Sequence, residues 1–169
     1  MNDFDWISRI EAAWTDAPAG APDELVRTID ALAAERAADD AVALFERACA
    51  RDTAGREAEA EPLYRAAVAG GQLYEYRRAR ATIQLGSTLR ALGRLDESER
   101  FLTAELDRHA EPANPTTLHE EALAILALTY LAQARAGEAA GLLLHALGPR
   151  LSRYRRTIAT HAAKWAPRS

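Results

Sequence analysis

One spacing occurs three times in this chain and governs what it can fold into. Taking Gly86 as a mark, Gly93 follows after seven residues, Ser98 after twelve and Leu102 after sixteen. From Ala48 the same offsets reach Gly55, Ala60 and Tyr64, with Ala67 beyond. From Ala127 they reach Ala134, Ala139 and Leu143, then Ala146. The marks lie 38 and 41 residues apart. Small residues at these places let two helices cross closely, and a large apolar residue one turn later fills the space beside the crossing. The pattern predicts a helix, a turn and a second helix, three times over.

The rest of the chain agrees. Alanine, leucine, glutamate and arginine dominate, β-branched residues are sparse, and the seven prolines are widely spaced, so the class is all-α. A length of 169 residues suits one domain with a real core. Trp6, Ile7, Ile10 and Trp14 share one face of a helix over 3–14, and Leu25, Ile29 and Leu32 form the stripe of a second that opens at Pro22. The first repeat has a helix ending at Gly55 and another stopping at Gly70 and Gly71, with a bend expected at Pro62. The second has helices over 74–92 and 96–109. In the third, Thr117 and Glu120 have capping-box spacing, Gly137 is read as the break, and a helix follows over 138–147. A last helix carries Leu151, Tyr154, Ile158, Ala162 and Trp165 along one side.

Leu85-Gly86-x2-Leu89 with Ser98-x3-Leu102, and Leu126-Ala127-x2-Tyr130 with Ala139-x3-Leu143 and Ala146, resemble the tetratricopeptide repeat, a two-helix unit of about 34 residues. The first copy keeps Ala60-x3-Tyr64 and Ala67 but has Arg47-Ala48-x2-Arg51 in its first helix. The opening tryptophan of the motif is absent, and the units are a few residues longer. The resemblance covers Asp39 to Arg150, and is closest to the short stand-alone proteins of this type in bacteria. It implies a single right-handed α-solenoid with repeats over 39–72, 73–112 and 113–149. Helices in 1–38 and 150–169 would cap the two ends, as solenoids require.

Composition and motifs exclude most chemistry. His119-Glu120-Glu121 lacks a second histidine one turn on, and the four histidines are scattered, so no metal site is expected. No phosphate-binding glycine loop, dinucleotide fingerprint or nucleophile elbow occurs, and no cofactor or catalytic residue is assigned. Cys49 is the sole cysteine and reads as a small buried thiol in a reducing compartment. The acidic N-terminus lacks a signal-peptide pattern and no apolar run could span a bilayer, so a cytoplasmic location with no membrane partner is expected. The net charge of −4 is uneven: fifteen acids and six arginines precede Pro62, and no acid follows Gly148. Arg150, Arg153, Arg155, Arg156, Lys164 and Arg168 make that end basic. Nucleic-acid binding there is the alternative function, ranked below a solvated helix face. An enzyme with an unrecognised site ranks lower still.

The remaining expectation is an interaction surface. The resemblance implies that the first helices of the repeats line a concave groove that holds a peptide or partner helix. Its lining would be Phe45 and Cys49, then Arg80, Ile83, Gln84, Ser87 and Arg90, then Glu121, Ala124, Leu128 and Leu131. The family's carboxylate-gripping variant places Lys and Asn in the groove. Here Phe45, Cys49, Gln84, Glu121 and Ile125 occupy those positions, which argues against that variant. Phe45, Leu128 and Leu131 have a second reading as core, covered by the N-terminal helices or by another copy of the chain. The expected work is that of a small adaptor, scaffold or regulator with a protein or peptide partner, self-association being one form of it.

Overall fold

The computed structural model describes residues 3–108 and 118–165. Among these the chain is all-helical. The elements are α1 (Asp3–Thr15), α2 (Pro22–Ala33), α3 (Ala41–Thr53), α4 (Glu57–Ala69), α5 (Glu75–Ala91), α6 (Leu95–Arg108), α7 (His119–Ala132), α8 (Ala136–Leu147) and α9 (Arg155–Ala162). Short 3-10 turns at Gly148–Arg150 and Ala163–Trp165 flank α9.

Pairs α3–α4, α5–α6 and α7–α8 are joined by one kind of turn. Gly55, Gly93 and Ala134 each take a left-handed φ, of 69°, 74° and 60°. The next amide then reaches back five residues: Arg56 donates to the Arg51 carbonyl at 2.9 Å, Arg94 to Leu89 at 2.8 Å and Arg135 to Tyr130 at 2.8 Å. This is the Schellman arrangement, which satisfies the last carbonyls of a helix. All three turns sit seven residues past their mark. The break in the third repeat is therefore at Ala134, and Gly137, expected to make it, lies inside the first turn of α8. A turn of fixed geometry recurs at fixed register, even where the sequence supplies an alanine.

Two other helix starts depart from expectation. Helix α7 opens from Leu118 at φ 52° with no side-chain cap from that residue, and Thr117 of the expected capping box with Glu120 lies outside the described residues. At the C-terminus Tyr154 has a left-handed φ of 65°, so α9 begins only at Arg155. Of the five residues expected to make its buried stripe, Ala162 alone is buried. By contrast, Asp40 caps α3 as an acid at a helix start should, accepting from the amides of Val42 and Ala43 at 3.0 and 2.9 Å. Helix α4 continues through Pro62, which leaves one carbonyl in its first turns without the usual donor.

The core lies between pairs as much as within them. Trp6, Ile10, Val26 and Ile29 of the first pair pack with Ala43 and Ala50 of α3. Phe45, Cys49 and Tyr64 pack with Ala81, Leu85 and Leu89 of α5. Ile83 and Leu102 pack with Leu126, Ala127 and Tyr130 of α7. Crossings are as close as the small residues suggested: a Cβ at Gly86 would stand 2.7 Å from the Cγ of Leu102.

Polar contacts repeat in the same register. Each turn arginine reaches back to an acid on the preceding pair: Arg56 to Asp23 at 2.5 Å, Arg94 to Glu61 at 3.0 Å and Arg135 to Glu99 at 2.7 Å. Ser98, read from sequence only as small, is fully buried and donates to the Gly86 carbonyl at 2.7 Å. It also shares a hydrogen bond of 2.9 Å with the Thr129 hydroxyl of the next repeat. The first pair joins the stack through α2, where Asp30 receives both Arg47 and Arg51 at 2.9 and 2.8 Å.

Two substitutions test these constraints by thermal or denaturant unfolding. Gly86→Ala gains helix propensity but strikes Leu102, and should destabilise by roughly 1–3 kcal/mol. Ala134→Gly relieves a left-handed alanine at some entropic cost, and should stabilise by roughly 0.5–1 kcal/mol.

Candidate binding groove

Helices α1, α3, α5 and α7 share one side of the stack and leave two adjoining clefts. The larger, about 590 Å³, has walls from three helices: Ile10, Glu11, Trp14 and Thr15 of α1; Glu46, Cys49 and Thr53 of α3; and Arg77, Arg80 and Gln84 of α5. The smaller, about 320 Å³, lies between α5 and α7 and is lined by Arg80, Ile83, Gln84, Leu118, Glu121, Ala124 and Ile125. Arg80 and Gln84 border both, because residues four apart lie on one helix face.

Arg80 has no hydrogen-bond or ion-pair partner among the described residues. Its guanidinium lies over the Phe45 ring at 5.2 Å and the Tyr76 ring at 5.9 Å, a cation–π arrangement that holds the charge in place while leaving its N–H groups unused. Gln84 likewise has no side-chain partner among the described residues. The turn arginines Arg56, Arg94 and Arg135 are all paired.

Glu46 forms part of the floor of the larger cleft and is 6% exposed. The Trp14 indole N–H donates to it at 2.9 Å, and Arg77 Nε stands 4.0 Å away. Burial pushes this carboxyl above its ordinary range, outweighing the pull of Trp14, Arg77 and Arg80. Nearby, Cys49 is buried and its thiol is pushed up to about 12, first by desolvation, so it stays protonated at neutral pH. Tyr64 Oη donates to Cys49 Sγ at 3.5 Å and lies 3.4 Å from Asp52. Asp52 also accepts from Thr88 at 3.3 Å, and burial raises its carboxyl too.

Six of the expected groove residues line the clefts: Cys49, Arg80, Ile83, Gln84, Glu121 and Ala124. Phe45 does not. It is fully buried beneath Arg80, its ring tilted against Tyr64 at 6.2 Å, and serves as the platform for the charge above it. Ser87 and Arg90 lie half-buried farther along α5, and Leu128 and Leu131 are exposed on α7, all four outside both clefts. Trp14, Glu46 and Arg77 were missed. The helical spacing of Ile10 and Trp14 was visible, but nothing local says that α1 turns this edge toward α3 and α5. A glutamate inside a helix reads as solvated until packing buries it.

Other candidate chemistry is sparse. No group of three metal-ligating side chains gathers among the described residues, and His109 lies outside them. Arg150 at the basic end bridges Glu120 at 2.7 Å, whereas Arg153, Arg156 and Lys164 are exposed. No helix among the described residues is long and apolar enough to cross a membrane.

With stacked helical hairpins and a shared groove in place, the comparison with known families is direct. The model of the tetratrico peptide repeat matches residues 41–165. The chain belongs to the tetratricopeptide repeat family. Its closely stacked pairs are the α-solenoid of that family, and the match runs beyond Arg150 to include α9. Two crystal structures of a "Podosopora anserina putative kinesin light chain nearly identical TPR-like repeats", one with a single substitution, are similar to it. Each has a TM-score of 0.70 at 20% identity, covering 94% of this chain and 83% of that one. At that identity the likeness speaks for the fold. Coverage of 94% must reach into α1 and α2, so the tetratricopeptide fold takes in helices that precede the family match. No curated protein matches the chain.

Glu46 gives a test of the groove's electrostatics. Its raised folded-state pKa means that the native chain holds this proton more tightly than the unfolded chain. Its ionisation therefore erodes stability as pH rises from the unfolded glutamate pKa through the raised folded one. Glu46→Gln keeps an acceptor for Trp14 without the charge. It should raise the melting temperature at pH 7, with the gain vanishing below the unfolded glutamate pKa of about 4.3.

Proposed function

We propose that the groove of α1, α3, α5 and α7 receives a peptide or helical segment of a partner protein, so that the chain acts as an interaction module without catalysis of its own. The observation that carries this reading is Arg80 with Gln84, placed where the two clefts meet and without side-chain hydrogen-bond partners among the described residues. A buried or half-buried donor left unmatched costs free energy, and a ligand that supplies an acceptor recovers it. Arg80 suits a carboxylate or main-chain carbonyl of the incoming segment, while Gln84 can bond a peptide group with both its amide donor and its acceptor. On the α1 side, Glu11 and Glu46 offer acceptors to a donor or cation, which would give the bound segment a direction. Ile10, Trp14, Ile83 and Ile125 supply apolar wall between these points.

Among the described residues the groove brings together no activated nucleophile. Its thiol is protonated, and among the described residues no imidazole lines either cleft to activate it. Family membership supports the same reading, since tetratricopeptide repeat proteins are in general scaffolds.

The test is selection of binders from a displayed random-peptide library, followed by titration against Arg80→Ala and Gln84→Ala. Loss of a charge-assisted hydrogen bond should weaken selected peptides by roughly tenfold or more for Arg80→Ala, with a smaller effect for Gln84→Ala. Selected peptides that bind both variants as tightly as the natural chain would place the binding surface elsewhere and overturn the proposal.

A further inference from the structure

Four charged side chains line the larger cleft, and they differ in depth. Glu11 is exposed, Arg77 and Arg80 are half-buried, and Glu46 alone is buried. The two oxygens of Glu46 differ as well. Oε2 accepts from the Trp14 indole at 2.9 Å. Oε1 has Arg77 Nε 4.0 Å away, beyond hydrogen-bond reach, and meets no closer donor among the described residues. A buried carboxylate thus turns one open acceptor toward a cleft of about 590 Å³.

The two arginines beside it are held by other groups. Arg77 donates through Nη1 to the Tyr74 hydroxyl at 2.8 Å, and its guanidinium lies over the Tyr74 ring at 5.3 Å. Arg80 stacks on Phe45 and Tyr76. Burial makes the ionised form of Glu46 costly, as its raised pKa reflects, and a cation docked at Oε1 would offset that cost.

The geometry also selects the kind of cation. With one carboxylate oxygen open, the planar fork of an arginine, which matches two, fits less well than the point charge of an ammonium. The open oxygen lies at the floor of the cleft, which a long unbranched side chain reaches more readily than a chain terminus does. Ile10 and Trp14 provide apolar wall for its methylene stem. Glu11, on the same side, opposes the repulsion from Arg77 and Arg80, so that two acids balance two arginines and the cleft is not closed to a positive charge.

We propose that the partner segment inserts a lysine side chain into the larger cleft, its ammonium donating to Glu46 Oε1 and its stem lying along Ile10 and Trp14. Such a site rests on the groove reading above and deepens it. Arg80 and Gln84 hold the segment where the clefts meet, and Glu46 selects one residue of it.

Peptides selected on the full chain from a displayed random library should share a lysine at one fixed position. Each is then synthesised with an acetylated amino terminus and with lysine, arginine or acetyl-lysine at that position. The lysine peptide should bind roughly tenfold or more tightly than its acetyl-lysine form, which keeps the stem and loses the charge, and more tightly than the arginine form. Glu46→Gln should bind the lysine and acetyl-lysine peptides alike, which traces the preference to this carboxyl rather than to the fold. Selected peptides without a common lysine would overturn the proposal. So would acetyl-lysine or arginine peptides that bind as tightly, a lysine preference that survives Glu46→Gln, or binding that needs a free amino terminus. Peptides that depend on Arg80 but are indifferent to the lysine leave the groove reading standing and overturn this one alone. A library that yields no binder overturns both.

Discussion

A hairpin of two helices has apolar surface on more sides than its own partner can cover, and that surplus organises this molecule. Each of the three hydrophobic clusters draws side chains from at least two successive pairs. Removing a pair would therefore expose the flank of its neighbour, at roughly 25 cal/mol per Å² of apolar surface returned to water. Such surfaces must meet in one register to fit. The left-handed turn fixes the angle within a pair, the Gly86–Leu102 contact fixes how closely its helices cross, and the turn arginines tie each pair to the acid behind it.

The groove follows from the stacking. Placing the first helix of every pair on one side leaves a concave surface whose residues contact solvent on one face and core on the other. Arg80 is the clearest case, its charge supported from below by the buried Phe45 ring and open above. Glu46 carries the cost of this position, since its carboxyl is held away from water with one close hydrogen bond among the described residues, from Trp14. Groups so placed weaken the isolated fold, and under the proposed function they are the ones a bound segment would satisfy.

The two ends of the stack are finished differently. At the N-terminus, α1 exposes Asp5, Ser8 and Thr15 together with Phe4, and its Trp6 indole donates to the Leu32 carbonyl at 2.8 Å, locking the pair. At the C-terminus, α9 folds over one side of α8 and leaves leucines of α7 and α8 in contact with solvent. The helices with the highest apolar content thus lie at the end with the least cover. That is a natural place for contact with another molecule.

By itself the sequence determined the all-α class, the helical pairs and the positions of the turns, because these rest on local physics: helix propensity, the 3.6-residue stripe and a turn at constant offset from each mark. Even the turn at Ala134 was present in the spacing, though the eye goes to Gly137. The family resemblance, with positions three and four apart sharing a helix face, also named six of the residues that line the two clefts. Tertiary structure alone decided that Phe45 is buried and Arg80 stacked over it, and that α1 contributes Trp14 to the groove beside the buried Glu46. It alone left Leu128 and Leu131 exposed while their counterparts nearer the N-terminus were covered. A residue's face on its own helix follows from its neighbours in the chain. What that face meets depends on segments 30 to 40 residues away, and on whether another pair follows to cover it.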